Sequence, residues 1–173
     1  MNKKLLLYGL AFGSASAAVS FIYLSTAAYK QSTVLHFILI FSEEIIIPSF
    51  GIYLFYKSMK TTHLNQFTIG RAIFLGFFLS IIMSSAVSLV FSYILQFQPE
   101  LIASLIDFKT EMYKSQALKY KRSASDLKGA LEKLNYSYSS KGQFISQLFF
   151  GASRGLFIGA IIAYVMKAKV VKN

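Results

Sequence analysis

The chain has 173 residues, 55% of them hydrophobic and 14% charged, with 18 Lys and Arg against 7 Asp and Glu and no cysteine. Roughly a quarter of an ordinary soluble domain is charged, so this composition excludes a soluble globule of this size, and with it disorder, a coiled coil and a disulfide scaffold. The lack of cysteine also excludes thiolate metal sites, a cysteine nucleophile and an acylated lipoprotein terminus.

A helix needs about 20 apolar residues, at about 1.5 Å rise each, to cross a hydrocarbon core of about 30 Å. Four blocks meet that length: residues 5–29, 34–56, 72–97 and 144–166. Lys3, Lys4, Lys30, Lys57, Lys60, Arg71, Lys167 and Lys169 mark their edges. Tyr29, Tyr53, Tyr56, Tyr93 and Tyr164 stand near block ends, where an amphipathic ring prefers the headgroup level. The expected architecture is one all-α polytopic membrane domain of four transmembrane helices, with an amphipathic helical insert over 98–143 between the third and fourth.

The first block has a rival reading. Lys3, Lys4, an apolar run and Ala15-Ser16-Ala17 resemble a secretory signal with its cleavage site. Signal cores run to roughly 7–15 residues, and this apolar stretch continues to Tyr29, so a retained span is expected. Gly9, Gly13 and Ala17 recur at every fourth position along it. That small-xxx-small spacing lets helix backbones approach closely in lipid.

The second block carries Glu43 and Glu44 at its centre. A charge at that depth costs at least about 2.5–3.5 kcal/mol on insertion scales, so it needs a partner or a function. Pro48 lacks the N–H that would bond the carbonyl of Glu44, so the helix should be disturbed there and that carbonyl left free. His36 lies seven residues before Glu43, about two turns away on the same face.

The third block repeats Ala72, Gly76, Ser80, Ser84, Ser88 and Ser92 at every fourth position. Close packing, with serine hydroxyls bonding back to their own helix, accounts for this ladder more simply than a polar track does. In the insert, Pro99 suits the first position of a helix. Leu101, Leu105, Phe108 and Met112 then form an apolar face widened by Ile102, Ile106 and Tyr113, with Lys109 and Glu111 expected outward. Ser123 with Asp126 marks a second helix start, and residues 135–142 read as a linker. A packed lid is the simplest role for this segment.

The fourth block holds Gly151, Gly155, Gly159 and Ala163 on one stripe, and Arg154 at its centre. Arg154 therefore matches Glu43 and Glu44 in depth, and its planar fork suits a carboxylate. An Arg154 pair with one of the two glutamates is expected, with Pro48 and His36 completing an intramembrane polar cluster. Two acids against one arginine leave one glutamate to be protonated, paired elsewhere or open to a cation.

No zinc-type histidine pair, phosphate loop or nucleophile elbow is present, so neither enzyme activity nor a cofactor or metal is expected. His63 stands alone in a short polar loop. The excess of basic residues comes with no nucleic-acid recognition motif and reads as topology-setting charge that meets lipid headgroups. The basic segments at both ends and between the second and third blocks are short and free of acid, which puts both termini inside the cell and the insert outside. The basic cluster at 119–122 pulls the other way.

Tyr56-Lys57, then Phe67, Gly70, Ala72 and Gly76 opening the third block, Tyr93 near its end and Pro99 followed by an acid resemble an uncharacterised family of four-span bacterial inner-membrane proteins, known only as a domain of unknown function. The resemblance implies the four-span layout and a bacterial inner membrane. It implies no activity and no site residues, so Glu43 and Glu44 rest on the physical argument alone. Two roles follow: a structural or accessory membrane protein held by a buried Glu–Arg pair, or a small proton- or cation-coupled transporter, which in so small a bundle would favour a homo-oligomer. Access of water to Glu43 and Glu44 discriminates between them.

Overall fold

The computed structural model describes residues 3–62, 68–121 and 123–168. His63, Phe67, Arg122, Lys169, Lys172 and the side chain of Lys167 lie outside the described set. The described residues form helices α1 (Lys3–Ser25), α2 (Ala28–Gln31), α3 (Thr33–Phe41), α4 (Ile47–Thr62), α5 (Ile69–Phe97), α6 (Pro99–Lys119), α7 (Ala124–Ser137) and α8 (Ser140–Ala168), with a π-helical turn over Ser42–Ile46 joining α3 to α4. No strand occurs among them.

Four helices are long and apolar enough to cross a membrane: Lys3–Ser25, Thr33–Lys60, Ile69–Phe97 and Ser140–Met166. Their outer faces carry Phe74, Leu89, Phe149, Phe157 and Ile161, each more than half exposed. Such a surface would be an aggregation liability in water and is at home in hydrocarbon. The protein is a multi-pass, all-α membrane protein.

The first span ends earlier than its apolar block. Ala27 adopts a left-handed conformation with φ 47° and turns the chain. Ala28 and Tyr29 then lie buried in the short helix α2. Ser32 caps α3 by accepting from the Leu35 N–H, and Thr68 caps α5 by accepting from the Arg71 N–H.

Helix α5 is the centre of the bundle, packed most extensively on α8 and next on α1. The small residues make this possible. A Cβ at Gly155 would stand 2.7 Å from the Gly76 carbonyl oxygen and 2.8 Å from the Phe77 Cα, so the α8 and α5 backbones are nearly in contact. On the other side, a Cβ at Gly13 would meet the Met83 Cα at 2.9 Å. Gly9, Ala17, Gly76, Ser80, Ser84, Ser88, Gly151 and Gly159 are buried with them.

Two apolar clusters occupy the two ends of the bundle. One gathers Leu5, Ile52, Phe55, Tyr56, Leu79 and Met83 at the lysine-rich end. The other gathers Tyr23, Leu24, Tyr29, Phe91, Ile94, Ile102 and Leu105 beneath the insert.

The insert is a helical lid. Pro99 opens α6, and Ser123 caps α7 through the Asp126 N–H. Tyr29 and Lys30 both donate to Ser104, at 3.1 and 2.8 Å, and tie the α1–α3 turn to α6. The buried face of α6 is turned about one residue from the expected stripe: Ile102 and Leu105 are buried, Leu101 and Phe108 are half-buried and Met112 is exposed. This places Lys109 on the inner side, its ammonium 5.2 Å from the Tyr138 ring centre, rather than outward. The expected linker is also shorter. Only Tyr138 and Ser139 separate α7 from α8, and Ser139 accepts from the Gly142 N–H to cap the last helix.

Candidate functional site

The intramembrane polar cluster is built around Arg154. Its Nη1 donates to the Glu44 carboxylate and, at 3.1 Å, to the Glu44 main-chain carbonyl. Nε donates to Ser80 Oγ at 3.3 Å and Nη2 to Ser84 Oγ at 2.8 Å. Four of the five guanidinium N–H donors thus have protein acceptors, on two different helices. The Arg154 side chain is 11% exposed and the Glu44 side chain 35%, so the arginine is sealed by these partners while the acid keeps one edge open.

The main chain beneath the acids explains part of this. In the π-helical turn the Ile47 N–H bonds the Ser42 carbonyl, five residues back. Pro48 has no N–H to continue in either register. In the π register that omission leaves the carbonyl of Glu43 without its donor, and in the α register that of Glu44. Both receive donors from other helices instead. Ser16 Oγ of α1 donates to the Glu43 carbonyl at 3.4 Å, and Arg154 of α8 serves Glu44. The sequence pointed to the free Glu44 carbonyl through Pro48. It gave no sign of the π turn, whose effect is to extend the need for donors to Glu43 as well.

Glu43 stands apart from the ion pair. Its carboxylate faces the Ser20 hydroxyl and lines a chamber of about 170 Å³ together with Ser20, Tyr23, Glu44, Lys109 and Gln147. A second compartment of about 550 Å³ adjoins it beneath the lid, reaching Lys109, Tyr113, Lys133, Ser137 and Ser146. Glu44, Lys109, Tyr138, Gln143 and Gln147 border both. A water occupies about 30 Å³ in the liquid, so there is room for several along a path lined with hydroxyl, amide and charged groups. Both acids are therefore reachable from under the lid.

A family model described as a protein of unknown function, DUF4199, matches residues 7–168. The chain belongs to this family. No curated protein and no solved structure matches it. The DUF4199 match contains every member of the cluster, so pair and chamber both lie within the family domain.

His36 joins the site only at one remove. Its Nδ1 lies 2.9 Å from the Tyr23 hydroxyl, and Tyr23 lines the chamber. It makes no bond to either glutamate. Ser80 and Ser84 correct the reading of the serine ladder as self-bonded packing. Ser88 does bond back to the Ser84 carbonyl at 3.1 Å, as a packed helix serine should, but Ser80 and Ser84 accept from Arg154. Their depth opposite Arg154, in steps of four, was the available signal. Lys109, Gln143 and Gln147 carried no such signal, because their inward aim depends on how α6 and α8 are rotated. Among the described residues no group of three or more His, Asp or Glu side chains could hold a metal ion.

Proposed function

We propose that this DUF4199 protein is a non-enzymatic protein of the bacterial inner membrane, with both termini cytoplasmic and the lid outside. In this reading the Arg154–Glu44 pair pins the second and fourth spans across α5, and Glu43 accepts a proton at the floor of the chamber. The role is that of a small proton transporter, working as a homo-oligomer because four spans enclose little room.

The observation that carries this reading is the division of labour between the two acids. Glu44 is neutralised by a guanidinium, whereas Glu43 faces Ser20 and an accessible chamber. A charge left in a membrane interior without a counter-ion finds a partner, a proton or water. Lys109 borders the same chamber, and its positive charge opposes entry of a metal cation. A proton is repelled as well, but it bonds to the single carboxylate of Glu43 and needs no shell of ligands, whereas no group of three or more His, Asp or Glu among the described residues could hold a metal ion.

The test is proton movement into vesicles carrying the purified protein and an internal pH dye, under an imposed membrane potential. Wild type should acidify the lumen and Glu43→Gln should not, with unchanged thermal stability in detergent. Absence of proton movement in wild type, with no gradient-driven cation uptake either, would leave the structural or accessory role, in which the Arg154 pin alone is the function.

A further inference from the structure

A separate cavity lies at the opposite end of the bundle and takes no part in the chamber. It has a volume of about 320 Å³ and is lined by residues of α4 and α8. One wall is a single face of α4, with Tyr53, Lys57 and Lys60 at helical spacing, and the other is the apolar face of α8 around Ile161 and Val165. Tyr53, Ile161 and Val165 are 41%, 64% and 49% exposed, so the slot opens sideways, toward the lipid. Lys60 crosses its end and donates to the Met166 carbonyl at 3.3 Å, while Lys57 is exposed at the mouth.

The charge around this slot has one sign. All 7 acids of the chain lie between Glu43 and Glu132, in the middle of the spans or in the lid. The end that holds the slot carries Lys3, Lys4, Lys57, Lys60 and Arg71 and, among the described residues, no Asp or Glu. An apolar trough at headgroup depth, edged by two lysines one turn apart with no Asp or Glu nearby among the described residues, matches an amphiphile with an anionic head and a hydrocarbon tail. A soluble anion would leave the apolar walls unused, and a zwitterionic lipid would bring its own cation to the lysines.

We infer that the α4–α8 slot binds one anionic glycerophospholipid, its phosphate on Lys57 and Lys60 and the start of an acyl chain against Ile161 and Val165. The bound lipid fills the slot between the two helices and links the second and fourth spans at the end farthest from the lid. It lies away from Glu43 and does not depend on the transporter reading.

The test is native mass spectrometry of the full-length protein in detergent, after delipidation and addition of phosphatidylglycerol or phosphatidylcholine of the same chain length. Wild type should retain one phosphatidylglycerol, in preference to phosphatidylcholine by on the order of tenfold. Lys57→Gln with Lys60→Gln should lose that preference. Val165→Trp, at a half-exposed position where the indole fills the slot, should lose the retained lipid without loss of fold. Lys128→Gln with Lys133→Gln, which removes the same charge from the lid, should keep it. Retention unaffected by Val165→Trp, equal loss in the lid variant, or no preference between the two lipids would overturn the inference. Inorganic phosphate that displaces the lipid completely would also overturn it, since the acyl chain would then contribute nothing.

Discussion

Arg154 holds Glu44 twice, by its carboxylate and by its main-chain carbonyl. The first contact neutralises charge and the second supplies a donor to a carbonyl that Pro48 cannot serve. A lysine ammonium could make both of these contacts, since both come from the single nitrogen Nη1. Only the guanidinium also reaches Ser80 and Ser84 on α5, through its other two nitrogens, Nε and Nη2. Three helices are joined at the depth where a loose charge is most costly.

Breaking the pair from one side should therefore cost more than removing it whole. Arg154→Met leaves Glu44 uncompensated, and loss of one partner of a buried pair typically costs about 3–5 kcal/mol. The triple variant Glu43→Gln, Glu44→Gln, Arg154→Met removes all three charges and should be the milder one. Thermal unfolding in detergent of the single and triple variants decides it, and equal losses would show that the pair is not the pin.

The two kinds of serine on α5 should separate in the same assay. Ser84→Ala removes an acceptor from a buried guanidinium, an omission that costs about 1–3 kcal/mol. Ser88→Ala removes only a bond to its own helix and should cost about 1 kcal/mol or less. If the two variants melt together, the Arg154 contact to Ser84 contributes nothing to stability.

Gly155 tests the close approach of α5 and α8. A methyl group there meets backbone rather than a movable side chain, at 2.7 Å from the Gly76 oxygen. Gly155→Ala should destabilise by about 1–3 kcal/mol, as overpacking does. Gly129→Ala, in α7 where nothing stands within 4 Å of the added carbon, should instead stabilise by up to about 1 kcal/mol through helix propensity. Opposite signs in the two melting shifts are the expected result.

The lid and its side of the membrane can be read with one set of variants, because the chain has no cysteine of its own. Single cysteines at Ala103, Asp107 and Glu111 should react with a membrane-impermeant maleimide added to whole spheroplasts, and cysteines at Ile102 and Leu105 should not. Uniform reactivity along α6 would rule out the packed lid. Protection of all five in sealed spheroplasts, with the periodic pattern returning only after lysis, would place the lid inside and reverse the proposed orientation.

Much of this protein was legible in its residues. Block length and the cost of burying charge determine four spans without reference to any neighbour, and the match in depth between Arg154 and the two glutamates follows from counting along the helices. The glycine stripes of the first and fourth blocks likewise announce close packing, since in lipid only small residues let backbones meet. Pro48 announced a carbonyl without its donor.

Rotation and register were decided only by the tertiary structure. Whether Glu43 or Glu44 meets Arg154 turns on an angle of about 100° between successive residues, and the π turn alters that angle locally. The rotation of each helix within the bundle likewise brought Lys109 inward, Met112 outward, and Ser80 and Ser84 to the arginine in place of their own helix. The chamber and the α4–α8 slot are spaces between helices, and no single helix encodes the distance to its neighbour. Periodicity along one chain specifies which residues share a face; which partner that face meets is a property of the assembled bundle.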